Sequence, residues 1–258
     1  MSSPLTILIT GANRGIGFGL VNLYLSRPST TVIATVRDPA TPSTKALQSL
    51  PRAPASHLIV ITLDLASTGS INTGIQSLTI EHNIHALDVV IANAGIAGTT
   101  PPLLSCTTAD LQTYIDVNAF GSLKLYKEVL PLLLKSKAQP KFIYMSSAGG
   151  SLTSMSTIVP LAAYGASKAL GNFLFKWLAL EQEGEEKVVV WCQHPGMVAT
   201  DMGKAGFELL LAKQGIDLSA HIISVEQSTN GIKNVIENAS LESTNGKFLG
   251  PDGGELPW

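Results

Sequence analysis

Residues 8–21 read "LITGANRGIGFGLV". Three glycines, Gly11, Gly15 and Gly17, fall within seven residues, between a β-branched apolar run and an apolar run with helical spacing. A glycine-rich turn by itself only redirects a chain. One that follows a strand and opens a helix does more, because backbone amides at a helix N-terminus reach a pyrophosphate where no side chain intervenes. The surrounding elements decide which kind this is.

Apolar, β-branched runs recur at 6–10, 31–36, 57–63, 87–93, 141–147 and 187–193, and "GKFLGPDGG" (246–254) reads as a last short strand. They are near-continuous rather than alternating, as parallel strands covered on both faces are. Between them lie helical spacings: Ile16, Leu20 and Leu23; Leu111, Ile115, Phe120, Leu123 and Leu130; Leu170, Phe173, Leu174, Trp177 and Leu178. The alternation predicts an α/β Rossmann fold, one doubly wound parallel sheet of about seven strands in a single domain. Residues 38–56 and 196–224 read as irregular, and Pro131 predicts a kink or break in its helix.

A length of 258 residues suits one domain with a sizeable core. With 45 % hydrophobic and 14 % charged residues the chain is not disordered. The net charge of −2 and the scattered basic residues carry no nucleic-acid footprint. No apolar run approaches the ~18 residues that span a bilayer. "MSSPLTILITG" has no basic region or cleavage site, and Cys106 and Cys192 fall in different elements, so a reduced, cytoplasmic protein is expected. Cys192 and His194 read as packed residues, and the five histidines show no metal-ligand spacing.

In a fold whose ligands sit at strand C-termini, the opening turn becomes a phosphate cradle. The adenosine ribose is read about 20 residues past the glycines, and that position is Arg37. A carboxylate there would suit NAD; a guanidinium suits the 2′-phosphate of NADP(H), with Arg14 as a second charge. A shift of one residue, to Asp38, would reverse the preference. NADP(H) is the favoured cofactor.

In "AAYGASKALGNF", Tyr164 and Lys168 stand four apart on one helical face, after the "YMSS" that ends the fifth strand. Carbonyl reduction needs a hydride donor at carbon and a proton donor at oxygen. A phenol with a pKa near 10 suits that task once a neighbouring ammonium lowers it. A serine then holds the carbonyl oxygen. By strand alternation one of Ser146 and Ser147 faces the site.

Here the chain resembles the short-chain dehydrogenase/reductase family over essentially its whole length. "TGANRGIG" matches TGxxxGxG, Asp64–Leu65 the adenine-contacting pair, and "ANAG" (92–95) the NNAG element with Ala92 in place of its first asparagine. Asn118 in "DVNAFG" and the "SS…YGASK" pattern match the catalytic tetrad, and "PGMVATDM" (195–202) the segment that clasps the nicotinamide amide. The resemblance implies catalytic roles for Asn118, Ser147, Tyr164 and Lys168: Tyr164 as acid/base, Lys168 on the nicotinamide ribose, Ser147 on the carbonyl, Asn118 at a proton-relay water. It implies cofactor contacts from Gly11, Asn13, Arg14, Gly15, Ile16, Gly17, Asn93, Ala94, Gly95, Pro195, Gly196, Val198 and Thr200. "ATVRDP" (34–39) and "GPDGGELPW" (250–258) look like those of sniffer and C-factor carbonyl reductases, the latter also like fungal polyketide ketoreductases. One departure is the 17-residue step from Ser147 to Tyr164, longer than the family's common spacing, which enlarges a substrate-side loop.

An NADPH-dependent ketone or aldehyde reductase is the leading expectation. Imine reduction, epimerisation and non-redox cyclisation on the same fold are alternatives, as is a non-catalytic NADP-sensing protein. Helices around 110–135 and 161–181 are long enough to cover the sheet and meet a twin subunit, giving a dimer or tetramer. All four arginines (Arg14, Arg27, Arg37, Arg52) lie on the cofactor side, and only Lys204 is a free cation in the substrate segments. Those segments are otherwise apolar, and 202–223 reads as a helical lid, so a bulky neutral aromatic or polyketide-type ketone is expected.

Overall fold

The structure, a computed structural model, describes residues 4–98, 101–157, 161–182, 187–204, 215 and 217–258. Its strands are β1 (Leu5–Ile9), β2 (Thr30–Val36), β3 (His57–Thr62), β4 (Val89–Ala92), β5 (Lys141–Met145), β6 (Val189–Gln193), β7 (Met197–Val198), β8 (Ile222–Ile223) and β9 (Phe248–Leu249). Helices among the described residues include α1 (Gly15–Leu25), α2 (Pro42–Gln48), α3 (Thr68–Ile80), α4 (Thr108–Ile115), α5 (Ser122–Leu133), α6 (Ala162–Glu181) and α7 (Val225–Asn238). Seven strands form one sheet in the order β3-β2-β1-β4-β5-β6-β9, every neighbouring pair parallel. The strand order reverses between β1 and β4, which opens a crevice at their carboxyl ends.

The apolar runs are continuous because each strand feeds two cores. Leu8 packs with residues of α3, α5 and α6, whereas Ile7 and Ile9 pack with those of α1, α2 and α7. A buried side chain of this size stabilises the fold by roughly 1.5–3 kcal/mol, which is what fixes the register. No helix of the described residues is long and apolar enough to cross a membrane.

Four local expectations change. Residues 38–56 contain α2, started by Thr41, whose hydroxyl accepts from the Thr44 amide at 3.3 Å, with Pro42 in the first turn. Pro131 neither ends nor interrupts α5, which runs on to Leu133; only the bond to the Lys127 carbonyl is lost, in the last turn. The interruption lies upstream, where Asp116–Gly121 widens into a π-turn between α4 and α5. Finally, the 202–223 segment is not helical throughout. Residues 201–204 form a helical turn, but Ile222–Ile223 is strand β8, parallel to β7, and the leucines at 209–211 lie outside the described residues.

Candidate active site

The carboxyl ends of β1 to β6 deliver Gly11, Arg37, Asp64, Asn93, Ser147 and Pro195 to one edge of the sheet. A cleft of about 470 Å³ runs along that edge from Arg37 to Tyr164 and Lys168. Gly11, Asn13, Arg14, Gly15 and Ile16 form its floor, with Asp64, Leu65, Asn93, Ala94, Gly95, Pro195 and Thr200 around it.

The glycine turn is built for close approach. Gly11 and Gly15 have φ of +63° and +54°, and a methyl on Gly11 would stand 3.0 Å from the Ala94 Cα. Gly17 does not line the cleft; a methyl there would overlap the Gly11 carbonyl oxygen and approach the Asn93 amide to 2.7 Å. Arg14 precedes α1 in extended conformation without a side-chain cap, so the first amides of α1 have no partner from the cap side chain. Asn93 donates to the Thr10 carbonyl at 2.8 Å and the Thr10 hydroxyl accepts from the Ala94 amide at 2.9 Å, which locks the turn against β4.

At the Arg37 end of the cleft, the side chains of Arg14 and Arg37 are exposed and, among the described residues, make no hydrogen bond or ion pair. The Asp38 carboxylate is engaged instead by the Ala40 amide at 2.8 Å. Two hydroxyls not foreseen from sequence, Thr41 and Ser43, also line this end, and Ser43 accepts from Asn13 at 2.9 Å. The "TP" step at 41–42, a helix-start signal, marked them.

The tetrad positions fall on β5, the π-turn and α6. Tyr164 is half-buried, with the Ser147 hydroxyl on its phenol side; Ser147 accepts from the Gly149 amide at 3.1 Å. Ser146 is buried, and its hydroxyl is bonded to Asn172 at 2.5 Å. Just past the end of β5, the alternation of successive side chains leaves Ser147, rather than Ser146, beside the phenol. Lys168 is 4 % exposed, donates to the Met145 carbonyl at 2.7 Å, and lies 5.8 Å from the Tyr164 ring centre. Burial pushes the lysine down to about 8 and pushes the Tyr164 phenol up, with the Ser147 side chain opposing the rise. For Tyr164 the cost of burying the phenolate outweighs the lowering influences, so the net direction is upward.

Asn118 is fully buried in the π-turn. Its amide donates to the Ile96 carbonyl at 2.9 Å and the Ser167 hydroxyl at 3.0 Å, and accepts from the Ile96 amide at 2.8 Å. The side chain thus clamps the β4 loop to α6. Gly196 (φ +90°) and Val198 lie behind the cleft, where Val198 is buried in β7. Thr200 approaches the glycine turn, 3.2 Å from where a Gly15 methyl would be. His194 accepts from the Ala148 amide at 3.2 Å, and burial pushes it down to about 4, so it is a neutral strut for the loop after Ser147.

The uncapped helix start, the glycines of the turn at Gly11 and Gly15, and the free guanidinium groups at one end fit a phosphorylated dinucleotide. Comparison with known proteins agrees. The short chain dehydrogenase family model matches residues 5–209. The short chain dehydrogenase gsfK of Penicillium aethiopicum is 50 % identical over 258 residues, covering 99 % of this chain and 100 % of its own. Norsolorinic acid ketoreductase nor1 of Dothistroma septosporum is 37 % identical, covering 100 % of this chain and 94 % of its own. The NADPH-bound carbonyl reductase from chicken fatty liver superposes with a TM-score of 0.85 at 28 % identity, both chains covered entirely. The chain therefore belongs to the short-chain dehydrogenase/reductase family of oxidoreductases.

Proposed function

We propose that this enzyme reduces a ketone or aldehyde to an alcohol with NADPH, Tyr164 giving the proton to the carbonyl oxygen. The observation that carries this is the convergence of Tyr164, Lys168, the glycine turn and Arg37 on one cleft. When bound, the cofactor would supply hydride at the carbonyl carbon; Arg37 and Arg14 would hold its 2′-phosphate, and the α1 amides its pyrophosphate. A chicken carbonyl reductase of the same fold binds NADPH, which supports that choice.

The raised Tyr164 pKa suits the reductive direction. The phenol keeps its proton at neutral pH and releases it only as negative charge develops on the substrate oxygen. Ser147, beside the phenol, offers that oxygen a second partner. Lys168, charged below about pH 8, offers a buried cation near the phenol and a donor to a ribose.

Described apolar residues near the tyrosine end of the cleft, Ile96, Val117 and Met202, favour a bulky neutral ketone, and relatives include enzymes named for norsolorinic acid. Among the described residues no arginine lines that end. A matched pair of ketones, one bulky and aromatic, one small and carboxylated, tests this. The aromatic ketone is expected to have the higher kcat/KM; a preference for the carboxylated one contradicts it.

A stripe on α6, Phe173, Trp177 and Leu180, is more than half exposed, with the two rings stacked 5.8 Å apart. Burial of such a stripe would favour a dimer or tetramer. Light scattering is expected to give a mass two or four times 27.1 kDa; a species of 27.1 kDa alone contradicts it.

A further inference from the structure

The stretch "GPDGGELPW" (250–258) supplies no residue to the cleft, yet it is closely organised. Gly253 takes φ +83° and the Gly250 amide donates to the Gly254 carbonyl at 2.8 Å, which turns the chain back along β9. The Leu256 amide then donates to the Phe248 carbonyl at 2.7 Å. This brings Trp258 to a junction of three elements. Its ring lies 5.6 Å from that of Phe248 on β9. Lys176, on α6 with Tyr164 and Lys168, sets its ammonium 4.3 Å from the ring centre on a half-buried side chain, close enough for a cation–π attraction. The Trp258 carbonyl oxygen accepts from the Thr153 amide at 2.8 Å.

Thr153 lies in the lengthened loop between Ser147 and Tyr164. That loop leaves Ser147 through a tight turn at Ala148–Gly150, buries Ser151, and closes on itself through the Ser154 amide and the Ser151 hydroxyl at 3.0 Å. Leu152 and Met155 remain more than two-thirds exposed on either side of Thr153. A stretch whose described apolar side chains are this exposed takes its position from what holds its backbone. A ring gripped from two sides gives the Trp258 carbonyl a fixed place from which to hold it.

We propose that Trp258 is a positioning residue for the substrate. Locked between Phe248 and Lys176, it fixes residues 151–155 and thereby sets the affinity for bulky ketones without affecting the cofactor. This rests on the chain being a ketone reductase, so the test has one arm that needs no substrate. In W258A, amide exchange of the peptide spanning 148–157 is expected to rise about tenfold or more, while that of α6 around Tyr164 stays unchanged. The KM for a bulky neutral ketone is expected to rise about tenfold, with kcat and NADPH affinity close to wild type. W258F restores most of both. K176M, which keeps the ring and removes the cation, shows both changes in smaller measure and decides the matter if W258A does not fold. Unchanged exchange at 148–157 overturns the proposal, as does faster exchange with an unchanged KM. If the wild-type enzyme reduces no ketone, the reductase assignment fails, and the exchange arm still decides whether Trp258 holds the loop.

Discussion

Replacing Tyr164 with phenylalanine is expected to lower kcat by about a thousandfold or more, because a positioned general acid contributes roughly 10²–10⁴. The substitution leaves the ring in place and removes only the hydroxyl. NADPH affinity is therefore expected to stay close to that of the parent. In the parent, reductive kcat/KM is expected to be level around neutral pH, since burial keeps the phenol protonated there. It then declines as pH rises through about 8, where buried Lys168 gives up its charge. Stopped-flow turnover and a pH profile check both points. Substantial turnover by Tyr164→Phe, or a reductive rate that climbs steadily with pH, contradicts the assigned proton donor.

Arg37→Asp is expected to weaken NADPH binding by about 3 kcal/mol, roughly a hundredfold, since it removes a charge-assisted bond and adds like charge beside the 2′-phosphate. NADH, which has no phosphate there, is expected to bind as before or better. Arg37 is exposed, so the loss shrinks at high salt. Asp38 lines the same end, with its Oδ1 accepting from the Ala40 amide. Fluorescence titration with both cofactors checks the difference. An equal loss for NADPH and NADH would assign Arg37 a structural role.

The architecture was legible because parallel strands buried on both faces need long apolar runs, and Ile7, Leu8 and Ile9 supply both cores in three successive residues. The pairing of Tyr164 with Lys168 was legible from helical spacing alone. Helix α2 was not, because its proline, serine and threonine resemble a loop by composition, although Thr41–Pro42 is a helix start. The effect of Pro131 depended on where its helix ends, and the missing bond falls in the last turn. The π-turn at Asp116–Gly121 surrounds Asn118, whose amide bonds to Ile96 and Ser167, residues distant in sequence. No local pattern encodes such a contact. The same holds for Ser146: alternation separates it from Ser147, but its partner Asn172 on α6 fixes which one meets the tyrosine. The direction of the Tyr164 shift was also hidden, since it turns on how deeply the phenol is buried once the chain has folded.

Hydride delivery can be followed directly by giving the enzyme NADPH deuterated at the transferable position with a bulky neutral ketone. One deuterium at the new carbinol carbon, with one NADPH consumed per alcohol formed, is the expected result. NADPH that binds but is not consumed by any ketone in a broad panel would contradict carbonyl reduction.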